Sequence, residues 1–264
     1  MPHKKYNIPV EKIYVINLAK DTERLKVISD KLSSQGLKFE RFNAVMGLDI
    51  KMQDEHGNIF YGRDLKSKKV SFKIGERYKI YCPNITIKYE YKPSLSRIGD
   101  PLTAGEFGCY CSHLEIMLDV IKNKYKSVIV LEDHADIKDD FYRIIKSMES
   151  EMPSYKKYDL LFLGYAISTN KLLEEKLKIK NIPFNSVLQK ITSYNVNVGC
   201  THAINYSYMG AGRILDNVVA NKGIDLDIFT TVNAGKLSSY KLKNVNIKQR
   251  DNVVSSIDSM GDRK

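Results

Sequence analysis

The sequence predicts an α/β fold in which helices flank a mixed, mostly parallel central sheet. Short, continuously apolar segments alternate with amphipathic ones, which is the pattern of buried strands joined by helices. The 264-residue chain is long enough to bury a sizeable core, and its 43% hydrophobic and 28% charged residues are typical of a folded globular protein. We therefore expect one domain that spans residues 1–264.

The N-terminal part of the chain carries an opening β-α-β unit. Residues 12–18 (KIYVINL) are apolar and rich in β-branched side chains, which predicts a strand. Leu25, Ile28 and Leu32 then recur at helical spacing. A second short strand is expected over residues 39–44, and this order is the unit from which parallel sheets are built.

Residues 47–101 have a different character, because they are basic and rich in tyrosine. Apolar and polar residues alternate from Tyr78 to Tyr91, with Pro83 and Asn84 in the middle. This alternation predicts an antiparallel hairpin within a β-rich segment that is inserted after the first unit.

The second half of the chain returns to alternating helices and strands. Residues 103–106 (TAGE) form a capping-box sequence, which predicts a helix that ends near Tyr125. Fully apolar strands are expected over residues 127–131 and 159–163. The remaining helix candidates are residues 171–178 and 207–219.

Charge and hydropathy limit the classes of partner. The 42 basic and 31 acidic residues give a net charge of +11, which favours anionic partners such as nucleotide diphosphates or acidic lipid head groups. The basic residues form no nucleic-acid motif, and we expect no nucleic-acid partner. No signal peptide is recognised, and the longest apolar run, residues 160–167, is too short to span a bilayer. We expect a cytoplasmic protein or one that lies at a membrane surface; the sequence indicates no oligomeric state.

The four cysteines do not have the spacing of a zinc site. We interpret them as reduced, mostly buried thiols, which fits a reducing compartment. They are Cys82, Cys109, Cys111 and Cys200.

A cluster of acids follows the strand predicted over residues 127–131. The acids are Glu132, Asp133 and Asp136, and His134 lies among them. Ligands of open α/β sheets bind beyond the carboxyl ends of the strands, and clustered carboxylates persist where a divalent cation such as Mg²⁺ or Mn²⁺ offsets their repulsion. Such a cation could neutralise a diphosphate leaving group. The alternative is a solvated turn in which Asp133 or Asp136 caps the next helix.

Two further sets of polar residues are candidates for chemistry. Glu106 and His113 are seven residues apart and so project from one helix face, where they could orient each other. A buried histidine that is satisfied by a neighbour is the alternative. Asp225 and Asp227 form an Asp-x-Asp sequence, which is also common at helix N-termini.

Six segments, taken together and in order, resemble glycosyltransferase family 25. This family includes bacterial lipooligosaccharide galactosyltransferases and animal procollagen galactosyltransferases. The segments are IYVINLAKDTERL (Ile13–Leu25), LTAGEFGCYCSH (Leu102–His113), VIVLEDHADI (Val128–Ile137), GCTHAINYSYMGAGRIL (Gly199–Leu215), GIDLDIF (Gly223–Phe229) and QRDNVVSSID (Gln249–Asp258).

The resemblance implies a GT-A-like, nucleotide-sugar-binding fold and an inverting transfer from a UDP-sugar. The expected sugar is a hexose, galactose or glucose, and the expected acceptor is a hydroxyl of a glycan, glycolipid or collagen-like protein. By position, Asn17, Leu18 and Arg24 should face the nucleotide, and Glu132 and Asp133 should lie at the diphosphate.

The resemblance also implies a metal and a general base. Asp133, His134 and Asp136 are the expected metal ligands. The candidates for the base that takes the acceptor proton are Asp225, Asp227, Glu106 and His113, of which Asp225 is favoured.

His134 departs from the family pattern, which usually has Glu-Asp-Asp where this chain has Glu-Asp-His. Imidazole suits Mn²⁺ better than Mg²⁺, so we expect Mn²⁺ to be preferred. The alternative is a catalytically impaired protein that binds a nucleotide sugar without transferring it.

Overall fold

The structure is a computed structural model. It describes residues 9–73, 75–83, 88–91, 103–152, 157–167, 188–191, 198–217, 224–243 and 247–250.

Strands and helices alternate along these residues, and a 3₁₀ turn occupies Gly47–Asp49. In chain order the elements are β1 (Lys12–Asn17), α1 (Thr22–Ser34), β2 (Glu40–Asn43), β3 (Lys51–Gln53), β4 (Ile59–Tyr61), α2 (Gly62–Lys66), β5 (Tyr78–Tyr81), β6 (Lys88–Tyr91), α3 (Ala104–Asn123), β7 (Ser127–Glu132), α4 (Phe141–Glu151), β8 (Leu160–Phe162), β9 (Ala166–Ile167), β10 (Leu188–Lys190), β11 (Val198–Gly199), β12 (Ala203–Ser207), α5 (Tyr208–Asn217), α6 (Ile224–Asn233) and β13 (Ser239–Leu242).

The central sheet has seven strands in the order β10-β13-β8-β12-β7-β1-β2 within the described part of the chain. β1 is parallel to both β2 and β7, and β13 is parallel to β8. β12 is antiparallel to both of its neighbours, and β10 is antiparallel to β13. Five of the seven strands therefore run in one direction, which confirms the predicted mixed, mainly parallel sheet and its opening β-α-β unit.

Both faces of the sheet are covered, as the continuous apolar strands predicted. Ile13 and Val15 of β1 belong to a core that also contains Ile28 of α1 and Phe141 of α4. The alternate residues of β1 belong to a second core, which α3, α5 and α6 cover from the other side. Because successive side chains of a strand point to opposite faces, a strand covered on both sides needs an apolar residue at nearly every position.

A separate four-stranded antiparallel sheet, in the order β4-β3-β5-β6, lies within residues 51–91. The predicted hairpin is confirmed, since Tyr78 of β5 pairs with Tyr91 of β6. Tyr91 also meets Phe107 of α3 edge to face, with ring centroids 4.8 Å apart. Aromatic pairs of this kind add about 0.5–1.5 kcal/mol beyond their area burial, so this contact helps to hold the small sheet against α3.

One expectation about the cysteines is wrong. Cys82, just after β5, forms a disulfide with Cys111 of α3, with their Cα atoms 5.6 Å apart. The 29-residue separation along the chain conceals this proximity, which arises only when the small sheet packs on α3. Cys109 and Cys200 take part in no disulfide, as expected, and both are partly buried.

The helix predicted from the capping box is confirmed as α3. The Glu106 carboxylate accepts a hydrogen bond from the Thr103 backbone N–H at 2.7 Å, and Thr103 Oγ1 accepts one from the Glu106 N–H at 3.3 Å. The candidate helix at residues 207–219 is confirmed as α5, whereas the candidate at residues 171–178 lies outside the described residues. Among the described helices, none has the length and apolarity needed to cross a bilayer.

Gly108 allows α3 to approach the segment that follows β2. A Cβ atom at this position would lie 2.6 Å from the carbonyl oxygen of Val45, which is far inside contact distance. Ser112, one turn further on, accepts a hydrogen bond from the Val45 N–H at 2.9 Å and donates one to the Gly108 carbonyl at 2.7 Å. These contacts fix the first turns of α3 beside the segment that follows β2.

Candidate functional site

A cleft opens at the carboxyl ends of β1 and β7. From β1 the chain crosses to β2 on one side, while β7 lies on the other, so the cleft is at the point where the strand order reverses. Ligands of open α/β sheets bind at such points. The cleft has about 490 Å³ of empty space, part of it open to solvent. Its lining residues are Ile16, Asn17, Leu18, Asp21, Arg24, Ala44, Val45, Gly105, Gly108, Cys109, Ser112, Glu132, Asp133 and His134.

Asp133 is held against the end of β1 by several partners. Its backbone N–H donates to the carbonyl of Ile16 at 3.1 Å. Asn17 Nδ2 donates to Asp133 Oδ2 at 2.7 Å, and the Arg41 guanidinium donates to Asn17 Oδ1 at 3.0 Å. Arg24 Nη1 lies 3.7 Å from Asp133 Oδ1. The charge of Asp133 is therefore balanced by side chains of the protein itself.

Glu132, the last residue of β7, lies beside α3 and close to Thr201, which precedes β12. His113 Nε2 is 3.5 Å from Glu132 Oε1, and Thr201 Oγ1 donates to the same oxygen at 3.2 Å. Burial by itself would raise the pKa of Glu132, but the His113 side chain and the charge of His134 outweigh burial and lower this pKa to about 2. Glu132 is thus a carboxylate at any physiological pH.

The His134 imidazole lies between two carboxylates. Its Nδ1 is 3.7 Å from Asp133 Oδ1, and its Nε2 is 3.8 Å from Glu132 Oε2. Burial acts to lower the pKa of His134, yet the two carboxylates outweigh burial and raise it. Nearby His202 differs, because burial lowers its pKa.

The acidic loop, residues 132–136, is also held by basic side chains that lie outside the cleft lining. Asp136 is paired with Lys31 and Lys138, at 2.8 Å and 2.7 Å. Arg250 donates from its guanidinium to the Asp133 carbonyl at 2.6 Å and from its backbone N–H to the His134 carbonyl at 2.8 Å. The loop is therefore tied to α1 and to the segment at residues 247–250.

These contacts show how the clustered acids are neutralised. Each of the three has its own partners: Glu132 has His113 and Thr201, Asp133 has Asn17 and Arg24, and Asp136 has two lysines. The cluster seen in the sequence is thus divided into three separate sets of contacts within the protein.

The structure brings some of the predicted site residues together and separates others. Asn17, Leu18, Arg24, Glu132, Asp133 and His134 all line the cleft, and His113 contacts Glu132 behind it. In the described part of the chain, Asp136, Glu106 and Asp227 are not among the lining residues. The carboxylate beside His113 is Glu132, not Glu106, which forms the capping box of α3. Asp227 is buried in α6, and the side chain of Asp225 lies outside the described part.

Several contributors to the site were not predicted. Cys109, Thr201 and Arg250 all contact Glu132 or the acidic loop. For Cys109 a signal was present, because it precedes His113 by four residues and so lies one helical turn away on the same face. Thr201 and Arg250 are distant in sequence, and only the tertiary fold brings them to the loop.

The predicted metal ligands do not form a ligand set in this arrangement. Among the described residues, three potential ligands that come within 4.8 Å of one another are Cys109, His113 and Glu132. Asp133, His134 and Asp136 form no such group there, since Asp136 faces Lys31 and Lys138. Mn²⁺ binding by these three side chains stays a prediction of the sequence, and the contacts observed fit it poorly.

A cleft at the reversal point of a mainly parallel sheet is where open α/β proteins bind their ligands. A family model described as glycosyltransferase family 25 (LPS biosynthesis protein) matches residues 10–226, and the chain belongs to this family.

Curated relatives support the family assignment over part of their length. A glycosyltransferase 25 family member of Drosophila pseudoobscura pseudoobscura is 26% identical over 163 residues, which is 61% of this chain and 21% of the relative. Procollagen galactosyltransferase 1 of Danio rerio is 27% identical over 51% of this chain and 21% of its own length. A Mus musculus relative named inactive glycosyltransferase 25 family member 3 is 30% identical, again over 51% and 21%. The alignments thus span about a fifth of each relative.

Proposed function

We propose that this protein transfers a hexose, galactose or glucose, from a UDP-sugar to a hydroxyl group of a glycan or of a hydroxylysine-type acceptor, with inversion at the anomeric carbon. The cleft between β1 and β7 is the donor site. The family assignment supports the reaction class, and the relative named procollagen galactosyltransferase supports galactose and a collagen-like acceptor.

The observation that carries the proposal is that an arginine side chain and the N-termini of two helices border one end of the cleft. Arg24 lines the cleft, as do Asp21, which directly precedes α1, and Gly105 in the first turn of α3. The N-termini of two helices therefore border the same space. Helix N-termini carry a partial positive charge and unpaired N–H groups, which together favour phosphate groups. The donor diphosphate would lie at this end.

The transfer itself is a single displacement. The acceptor oxygen attacks the anomeric carbon as the bond from that carbon to the diphosphate oxygen breaks, and UDP leaves with the bonding electrons. The proton of the acceptor hydroxyl goes to a carboxylate base. Arg24 and the helix N-termini stabilise the negative charge that develops on the departing diphosphate.

The base is proposed to come from α6. Asp225 is the first choice, because it is a carboxylate remote in sequence from the acidic loop, and it lies in the family match. Asp227 is 6% exposed, so reaching an acceptor would require the side chain to be uncovered. Glu106 and His113 remain as candidates, but Glu106 forms the capping box and His113 is fully buried beside Glu132.

The experiment that tests the donor site compares two alanine variants of α1, each of which removes one positive charge. Arg24→Ala removes a positive charge that faces the cleft, and Lys26→Ala removes one that is exposed and pairs with Asp30. Calorimetric titration with UDP should show binding weakened about tenfold or more in Arg24→Ala, because hydrogen bonds to charged groups contribute about 1.5–3 kcal/mol. Lys26→Ala should bind UDP as the unmodified protein does. Equal affinity in all three proteins would remove the cleft as the diphosphate site.

The transfer reaction needs its own test. Several UDP-sugars are offered with Mn²⁺, with Mg²⁺ and with chelator, and the release of UDP by donor hydrolysis is measured. Hydrolysis of UDP-galactose or UDP-glucose that is faster than hydrolysis of the other donors is the expected result.

A nucleotide-sugar-binding protein without transferase activity is the second candidate. Two observations favour it: His134 stands where the family usually has a third acid, and one of the relatives is named inactive. UDP binding in the calorimeter, combined with no donor hydrolysis under any of the metal conditions, is the result that selects this candidate over the first.

A further inference from the structure

Three side chains with different donor atoms meet at the floor of the cleft. Cys109 and His113 lie one turn apart on α3, and Glu132 is the last residue of β7. Cys109 Sγ is 3.9 Å from Glu132 Oε1, His113 Nε2 is 3.5 Å from the same oxygen, and the three ligand atoms lie within 4.8 Å of one another. The group combines a thiol, an imidazole and a carboxylate, whereas an acidic patch on a protein surface consists of carboxylates alone.

The separations approach those of a tetrahedral metal site. With Zn–S bonds of about 2.3 Å and Zn–N and Zn–O bonds of about 2.0 Å, tetrahedral ligand atoms lie roughly 3.3–3.6 Å apart. The 3.5 Å distance from His113 Nε2 to Glu132 Oε1 lies within this range, and the 3.9 Å distance from Cys109 Sγ to the same oxygen exceeds it by about 0.3 Å. Rotation of the Cys109 side chain, which is only partly buried, can close the difference.

The state of His113 points independently to a ligand. Its side chain is fully buried, and among the described residues its Nε2 atom has no hydrogen bond of acceptable geometry, although the atom faces Glu132. Its other nitrogen, Nδ1, lies 3.2 Å from the hydroxyl of Tyr206. A metal-bound histidine typically has this arrangement, with one nitrogen on the metal and the other held by a hydrogen bond that fixes the ring.

Glu132, like His113, has a neighbouring side chain that fixes its orientation. It is ionised, and Thr201 Oγ1 donates to its Oε1 atom at 3.2 Å. Such a hydrogen bond orients a carboxylate toward a ligand position. Both Cys109 and Glu132 line the cleft, whereas the described lining does not include His113. An ion bound by all three would therefore have protein on one side and the cleft on the other.

We propose that Cys109 Sγ, His113 Nε2 and the Glu132 carboxylate form a three-ligand site for a divalent cation of the zinc type, with the fourth position open to the cleft. Sulfur and nitrogen donors favour Zn²⁺ or Co²⁺ over Mg²⁺ and Mn²⁺. Three protein ligands with an open position are the pattern of zinc sites that bind a water or a substrate atom. On binding, the Cys109 S–H bond breaks, an S–metal bond forms, and one proton is released to solvent.

This site differs from the metal position expected from the sequence, because it shares none of Asp133, His134 and Asp136. It also goes beyond the proposed function, since the binding of the ion is measured without a sugar donor or an acceptor. Failure of the transfer assay and failure of this proposal are therefore distinguishable.

The test is a titration of the full chain with Co²⁺ in thiol-free buffer, followed by absorption spectroscopy. Cobalt bound to a thiolate gives a charge-transfer band in the near ultraviolet, and a tetrahedral site gives intense visible bands. We expect both, saturating at one Co²⁺ per chain, and we expect Zn²⁺ to displace the cobalt and abolish them.

Variants connect the spectrum to the three ligands. Cys109→Ser should lose the charge-transfer band, while Cys200→Ser, which alters the other cysteine outside the disulfide, should keep it. Tyr206→Phe removes only the hydroxyl that holds His113 and should weaken Co²⁺ binding by about 10- to 100-fold, the usual effect of such outer partners. Circular dichroism of each variant checks that it is folded.

Two results would overturn the proposal. One is the absence of a thiolate-to-cobalt band in the unmodified protein at saturating Co²⁺. The other is a band that survives in Cys109→Ser or that disappears equally in Cys200→Ser, because the thiolate ligand would then not be Cys109.

Discussion

The disulfide between Cys82 and Cys111 should contribute several kcal/mol to the stability of the fold, and the contribution can be worked out from its loop. The cross-link closes a loop with a sequence separation of 29. In the chain-entropy treatment, a loop of this length removes about 12 cal/mol/K of unfolded-state entropy, or roughly 3.6 kcal/mol at 25 °C. Reduction of the disulfide should lower the free energy of unfolding by about this amount.

The assay is urea denaturation with and without a reductant. With a urea m-value of about 2–3 kcal/mol/M, the midpoint should fall by roughly 1–2 M when the disulfide is reduced. The double variant Cys82→Ala/Cys111→Ala serves as the control, because it has no cross-link to reduce. Its midpoint should lie below that of the oxidised protein and should not respond to the reductant.

The reasoning fails if the reductant leaves the midpoint of the unmodified protein unchanged, or if it shifts the double variant equally. The first result would mean that the two sulfurs are not cross-linked in solution. The second would mean that the reductant acts elsewhere, so that the loop estimate does not apply to this bond.

Two other substitutions test the packing around the site. Gly108→Ala should destabilise the protein by about 1–3 kcal/mol in thermal denaturation, because the new Cβ would overlap with the Val45 carbonyl. The control is Gly212→Ala in α5, where a Cβ would make only ordinary van der Waals contact. This variant should be neutral or should stabilise the protein by up to about 1 kcal/mol. Arg213→Ala should cost about 1.5–3 kcal/mol, because it removes the partly exposed guanidinium that lies 2.8 Å from the fully buried Asp159 carboxylate, which keeps the Ser238 backbone N–H at 2.6 Å. A loss below 1 kcal/mol in Gly108→Ala or Arg213→Ala would contradict the corresponding contact.

Much of the fold was predictable because its signals are local. The apolar run from Ser127 to Leu131 predicted a strand covered on both faces, and the Thr103–Glu106 capping box predicted where α3 begins. The alternation around Tyr78 predicted a hairpin that the structure confirms. Each of these signals lies within a window of a few residues, where periodicity and capping chemistry are sufficient.

The less predictable features depend on long-range packing. The Cys82–Cys111 disulfide forms because a separate sheet packs on α3, and Glu132 meets Thr201 because β12 pairs with β7. The partners of the Asp133 carboxylate also depend on long-range packing. The sequence shows acids side by side, and this pattern predicted a metal. The fold instead places Asn17 of β1 and Arg24 of α1 beside Asp133.

This local charge balance has a consequence for donor binding. Arg24 lies 3.7 Å from Asp133 and 3.8 Å from Asp21, and both ion pairs are long. Asp133 is also held by the Asn17 amide at 2.7 Å, and the loop that carries it is held through Arg250. Arg24 can therefore turn toward an incoming diphosphate without leaving the Asp133 carboxylate unpartnered. Because an unpartnered buried charge is costly, the hydrogen bond from Asn17 to Asp133 keeps the cost of that rearrangement small, and we expect Asn17 to contribute to donor binding at the proposed site.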